Sequence, residues 1–275
     1  MASTAPTPTE RTARLCAEAA LFMRDHVLSR VSHDLRSPLN AIHSWAYVLE
    51  RKIEGTDASA QRALEGIRTG VEQQVHLLET LVDTTRAETR KLYIERAPFA
   101  LDALVGETVD EVRRGLADAR GVCLVVQGTP TGATLDAARE RIGQALWLML
   151  AFATEASVAG ATVSLEVSVA ATAVQFEVHW QASQAALADE ALPHLFEPFA
   201  RAQAREPQEA GRYAWVLALC QRVAEAHGGR FEARPLVEGE AASLTLNVPA
   251  NGVIGGVIGG ANSGTIGGAG SGSSI

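Results

Sequence analysis

One short stretch of the chain holds a histidine and an aspartate side by side, with an arginine, a serine and a proline just beyond. Val31 to Ile42 reads VSHDLRSPLNAI. An imidazole is a nucleophile only through a nitrogen with a free lone pair. A neighbouring carboxylate can hydrogen-bond the other ring nitrogen or take its proton, which makes attack on a phosphoryl group feasible. His33 and Asp34 stand in that relationship. Arg36 has two readings, a cation that meets a phosphate or an acidic partner, and a solvated surface arginine. Pro38 lacks an N–H and loosens a helix one turn after the pair. Taken alone, a His-Asp pair more often marks a solvated polar face, so the surrounding elements decide.

Residues 11–53 read as one long helix, because Val27, Val31, Leu35, Leu39, Ile42, Ala46 and Leu49 recur at spacings of three and four. The rhythm continues past Pro38, which predicts a bend there and not an end. His33 lies about 200° around the helix from Val31, so it points to solvent when the apolar face is covered. After EGTDAS, with Gly55 as the stop and Thr56, Asp57 or Ser59 as the next start, a second helix over 58–89 repeats the pattern at Leu64, Ile67, Val71, Val75, Leu78, Val82 and Thr85. Two such helices make an antiparallel hairpin. Their stripes are too wide for one hairpin to hide, so pairing into a dimeric four-helix bundle is expected.

From residue 91 the texture is mixed. Helices are expected over 101–118, 136–157 and 212–227, the last ended by Gly228 and Gly229. Strands are expected around KLYIERAPF, in GVCLVVQG, in two runs about a turn at Ala170–Thr172, and in a closing hairpin up to Pro249. The fold class is α+β. Residues 1–10 read as a disordered lead, 11–90 as the hairpin, 91–250 as an α/β sandwich, and 251–275 as a flexible Gly/Ser-rich tail.

The 275 residues are 47% hydrophobic and carry a net charge of −8, which speaks against general nucleic-acid binding. No apolar run approaches the roughly 18 residues of a membrane span, and the N-terminus has no signal-peptide core. Cys16, Cys123 and Cys220 are scattered with no metal-ligand spacing, so a cytoplasmic setting with no bound metal is expected.

SHDLRSPLNAI resembles the H-box of bacterial sensor histidine kinases, in their dimerisation and phosphoacceptor domain. The resemblance implies that His33 is the phosphorylated residue and Asp34 its acid/base partner. Ser37 stands where the family often has threonine or asparagine, the residue that helps dephosphorylate a response regulator. The likeness extends to about residue 249. LPHLFEPFAR is similar to the segment before the ATP lid, and CQRVAEAHGGRFEA to the helix and strand after it. The implied fold is a GHKL-type sandwich, and the implied ligands are ATP and Mg²⁺.

The nucleotide boxes depart from the family. Aligned on Arg141 and Gln144, the two asparagine positions hold Leu148 and Phe152, and the following basic position holds Glu155. Mg²⁺ wants oxygen ligands, which neither side chain has. Near the family's Asp-x-Gly-x-Gly box stands Trp180, in a stretch without glycine. Of Gly-x-Gly-x-Gly only Gly211 remains, with Ala214 and Val216 in the other places and Tyr213 and Trp215 adding bulk. The expectation is a site filled as core, with no cofactor, and a histidine phosphotransferase working through His33, Asp34 and Ser37. The alternatives are an ATP-dependent kinase with a divergent site and a non-catalytic regulator. The expected partners are a second copy, response regulator receiver domains and a partner histidine kinase, with no nucleic acid or membrane.

Overall fold

The computed structural model describes residues 10–52, 58–89, 92–128, 131–205 and 214–250. Residues 1–9 of the lead, the loop at 53–57, Gly211, Tyr213 and the Gly/Ser-rich tail lie outside the described residues, and Glu10 of the lead opens the first helix.

α1 (Glu10–Lys52) is one unbroken helix of 43 residues with Pro38 inside it, about 65 Å long at 1.5 Å per residue. α2 (Ala58–Thr89) runs back along its second half. Two ion pairs give the antiparallel register, Arg36 to Glu79 at 3.1 Å and Arg68 to Glu50 at 3.6 Å. Within this hairpin Leu39, Ala46, Leu64 and Val71 are buried. Val31, Leu35, Ile42, Trp45 and Leu49 are exposed.

The second layer system begins with β1 (Ala97–Ala100), which pairs antiparallel with β3 (Thr134–Ala137). Residues 136–137 were expected to open a helix. They close this strand instead, because a four-residue strand set against a helix start carries too little periodicity to read. α3 (Leu101–Val112) runs on through a π turn (Arg113–Ala117) into α4 (Asp118–Arg120). The main sheet has five strands in the order β2 (Cys123–Gln127), β4 (Thr162–Val169), β5 (Ala173–Gln181), β7 (Ala241–Pro249), β6 (Arg230–Ala233). β2 and β4 are parallel and joined through α5 (Arg139–Glu155), as a parallel pair requires a crossover. The other pairs are antiparallel.

Alternation along the strands sets the core. Val174, Phe176, Val178 and Trp180 point inward from β5, and Ala242, Leu244, Leu246 and Val248 from β7. Their polar neighbours line the outer face. α5 is buried on nearly every side, from Ile142 to Glu155. Two short helices, α6 (Gln184–Ala188) and α7 (Pro198–Arg205), follow β5. A 3-10 turn (Trp215–Leu217) leads into α8 (Ala218–Ala226). Gly228 turns the chain with φ 74°. Gly229 then passes so close to β7 that a Cβ would fall 1.9 Å from the Asn247 carbonyl oxygen.

The first half of α1 is part of this core. Leu15, Ala19, Phe22 and Met23, at spacings that put them on one face, are buried in the same apolar cluster as α5 and α8. Polar contacts frame them. Glu18 accepts from Arg141 and from Gln144, Arg14 pairs with Glu140, and Arg11 lies 3.3 Å from Glu111. One rigid helix therefore joins the sandwich to the hairpin.

Candidate functional site

His33 lies on the hairpin half of α1 with its side chain 80% exposed. Its Nδ1 is 3.2 Å from Asp34 Oδ1. The hydrogen bond to His33 and the charge of Arg30 hold the Asp34 carboxyl below its ordinary range, against desolvation. An ionised carboxylate can only accept, so Nδ1 carries the proton in this pair, and in the neutral ring the lone pair is on Nε2. That nitrogen is the one turned away from Asp34. Pro38 has no N–H to give to the carbonyl four residues back, which is that of Asp34. Ser37 is exposed one turn beyond His33, on the same side of the helix. Arg36 is engaged with Glu79 across the hairpin. The expected trio of His33, Asp34 and Ser37 is thus together on one exposed face.

Arg30 is the member that the sequence reading did not single out. Its Nε donates to Asp34 Oδ2 at 3.1 Å. Its spacing of four from Asp34 on a helix was the available signal.

The positions aligned with the nucleotide boxes converge inside the sandwich. Leu148 and Phe152 are buried on α5, and Trp180 is buried at the end of β5. The Phe152 and Trp180 rings meet edge to face at 6.2 Å. Ala214 and Val216 are buried beside α8, and Trp215 turns its ring to His26 of α1, 6.2 Å away. Between α1 and the 195–200 segment there remains a cavity of ≈ 240 Å³, lined by Cys16, Met23, Phe196, Ala200 and Val216 among others. Burial pushes the Cys16 thiol up to about 11, with the charge of Glu155 adding to it. A polar cavity of ≈ 640 Å³ opens on the outer sheet face at Gln175, Arg230 and Asn247 and touches none of these residues.

Glu155 does not face an open pocket. It is fully buried and its carboxylate accepts from Leu195 N at 2.6 Å, Phe196 N at 3.1 Å and His194 Nδ1 at 2.8 Å. His194 Nε2 lies 2.9 Å from the Asp189 carbonyl oxygen. Arg120 donates to the carbonyls of Pro193, Glu155 and Ala186, and Arg201 to those of Leu187 and Phe196. The segment from α6 to α7 is stapled to α5 by these bonds. Among the described residues no helix is long and apolar enough to cross a membrane.

Residues 23–90 match the family model described as His Kinase A (phospho-acceptor) domain. Residues 137–252 match that of the histidine kinase-, DNA gyrase B- and HSP90-like ATPases. The chain is similar to a histidine kinase from Burkholderia phymatum of known crystal structure. The two are 51% identical, with 89% of this chain and 100% of that chain covered and a TM-score of 0.73. Among curated proteins it is 23% identical over 241 residues to the autoinducer 2 sensor kinase/phosphatase LuxQ of Vibrio parahaemolyticus. It is 25% identical over 212 residues to the sensor protein KdpD of Clostridium acetobutylicum. These matches cover 86% and 77% of this chain but span 28% and 23% of the two relatives' lengths.

Proposed function

This chain belongs to the histidine kinase family, and from that premise we propose that it works as a phosphotransfer protein, carrying phosphate on His33 without taking it from ATP itself. The observation that carries the reading is a contrast between two sets of positions. The phosphoacceptor group is intact and exposed, with Asp34 on Nδ1 of His33. The nucleotide positions are packed as core, with Phe152 against Trp180.

The residues at those positions do not fit a magnesium–nucleotide complex. Leu148 and Phe152 offer no oxygen to a hard cation. Glu155 stands where the family has a basic residue, so that position offers no cation to a triphosphate, and its carboxylate is already taken by the 194–196 segment. The apolar cavity that remains by Val216, ≈ 240 Å³, is below the roughly 300–1,000 Å³ of ligand sites.

The reaction is transfer from an acyl phosphate. Nε2 of His33 attacks phosphorus, the P–O bond to the aspartate of a receiver domain breaks, and that carboxylate leaves. The proton on Nδ1 passes to Asp34 or to water, giving a neutral phosphoimidazole. The reverse steps deliver the phosphate to a second receiver. Ser37, one turn away on the same face, is placed to orient water or the incoming receiver. The hairpin serves as dimerisation and phosphoacceptor domain. Its exposed Val31, Leu35, Ile42, Trp45 and Leu49 form a stripe that a second hairpin would cover. The sandwich remains as a docking body for receiver domains or a partner kinase.

The test is phosphorylation of His33 from two donors in parallel, with His33→Ala as control. One donor is labelled ATP with Mg²⁺, and the other is a phosphorylated receiver domain. Label from the receiver alone supports the reading. Label from ATP alone overturns it in favour of an autokinase. Label from neither leaves the regulator, which His33→Ala does not impair.

A further inference from the structure

We propose that Arg30 is a positioning residue for phosphoryl transfer, holding Asp34 so that His33 presents Nε2 and not Nδ1. The inference rests on the phosphotransfer reading for its biological meaning but not for its geometry. Asp34 uses its two carboxylate oxygens on two different partners. Oδ2 accepts from Arg30 Nε at 3.1 Å, and Oδ1 faces His33 Nδ1 at 3.2 Å. Arg30 lies one turn before Asp34 on α1, and the helix sets their spacing.

The consequence is chemical. An exposed aspartate samples several rotamers, and each one that swings away from His33 frees the imidazole to take either tautomer. Pinning Oδ2 from the N-terminal side selects the rotamer that leaves Oδ1 under Nδ1. The ring then keeps Nδ1–H, and the lone pair stays on the outward nitrogen. The other cation nearby, Arg36, is committed to Glu79 on α2 and does not serve Asp34. Lysine could supply charge at position 30 but not the fixed N–H direction of a guanidinium.

The test separates this role from the function above by using a small chemical donor. Phosphoramidate reacts without any partner protein: Nε2 of His33 attacks phosphorus, the P–N bond breaks, and ammonia leaves with its electron pair. The Nδ1 proton then passes through Asp34 to water. Wild type, Arg30→Met, Arg30→Lys and Asp34→Asn are compared in the full chain. Two readouts are taken, the nitrogen phosphorylated with its rate, and the ring tautomer from ¹⁵N NMR of His33. Exposed i,i+4 pairs contribute a factor of about two. Arg30→Met is therefore expected to slow phosphorylation at Nε2 by about that factor and to raise the Nε2–H tautomer. Arg30→Lys should recover part of both. In the Asp34→Asn background the Arg30→Met effect should vanish, since Arg30 acts through Asp34. Unchanged rate and tautomer in Arg30→Met overturn the proposal, as does an effect that persists undiminished without Asp34. If both readouts behave as expected but no receiver domain phosphorylates His33, the positioning stands and the phosphotransfer reading fails.

Discussion

The ring of Phe152 meets that of Trp180 edge-on, with centroids 6.2 Å apart and planes at 89°. One comes from the last turn of α5 and the other from the end of β5, and together they close the space between helix and sheet. Aromatic pairs favour this geometry because the positive ring edge meets the negative face. Truncation leaves a cavity that the surrounding core cannot fill. Phe152→Ala is expected to cost about 3–5 kcal/mol in chemical denaturation. A loss below about 1 kcal/mol would mean that the pair is peripheral.

Glu155 ties the 194–196 segment to α5 through three hydrogen bonds. Removing the carboxylate strands two backbone N–H groups and His194. Glu155→Ala should destabilise the fold by about 3 kcal/mol or more. Hydrogen exchange should speed up first over 184–205, while the amides of β5 and β7 stay slow. Uniform loss of protection would refute a local staple.

His227 predicts a pH dependence. Its Nδ1 lies 2.8 Å from the Val223 carbonyl oxygen, and its Nε2 accepts from Ala138 N at the start of α5. Burial lowers its pKa below 6.5, opposed by the Val223 bond. The unfolded chain therefore binds the proton first as pH falls. The contribution of His227 is complete above the unfolded value and is lost as pH drops from about 6.5 toward the folded value. His26 is lowered mainly by burial and adds in the same sense. In His227→Gln the acid slope of stability should shrink but not disappear. An unchanged slope between pH 7 and 5 would remove His227 from the account.

The three cysteines should differ in reactivity. Cys123 is exposed at the sheet edge, Cys220 is fully buried with its thiol pushed far up by desolvation, and Cys16 is held near 11. A disulfide reagent at pH 8 should modify one thiol per native chain within minutes and all three after denaturation. Rapid labelling of Cys16 in the native protein would show that α1 lifts from the sandwich.

The exposed stripe on the hairpin sets an expectation for assembly. Ile42 is exposed in the single chain, so Ile42→Glu should leave the protomer folded. In a four-helix bundle the same change buries a charge. Light scattering should show a dimer for wild type and a monomer for the variant, with unchanged circular dichroism. A wild-type monomer at micromolar concentration would sink the bundle.

Much of this molecule was legible in order along the chain. The three-and-four spacing of Val31, Leu35, Leu39, Ile42 and Ala46 marks a helix, because one turn is 3.6 residues whatever lies outside it. The same arithmetic put His33 on the polar side, where its side chain is. The strand alternation in residues 162–181 was equally local. The short elements were not legible, since β3, α6 and α7 hold too few residues for a period to emerge.

What only the tertiary structure decided is which surfaces meet. A helical stripe records that a face is apolar and not what covers it. The stripe of α1 changes partner along its length, from α5 and α8 at Leu15, Ala19 and Phe22 to α2 at Leu39 and Ala46. Glu155 looked from its sequence position like a charge facing a ligand, and it faces His194 and two backbone amides instead. The meeting of Phe152 with Trp180 required the sheet to form and α5 to pack across it. Contacts between distant residues depend on where the whole chain has to bury its apolar area, and no local period encodes that.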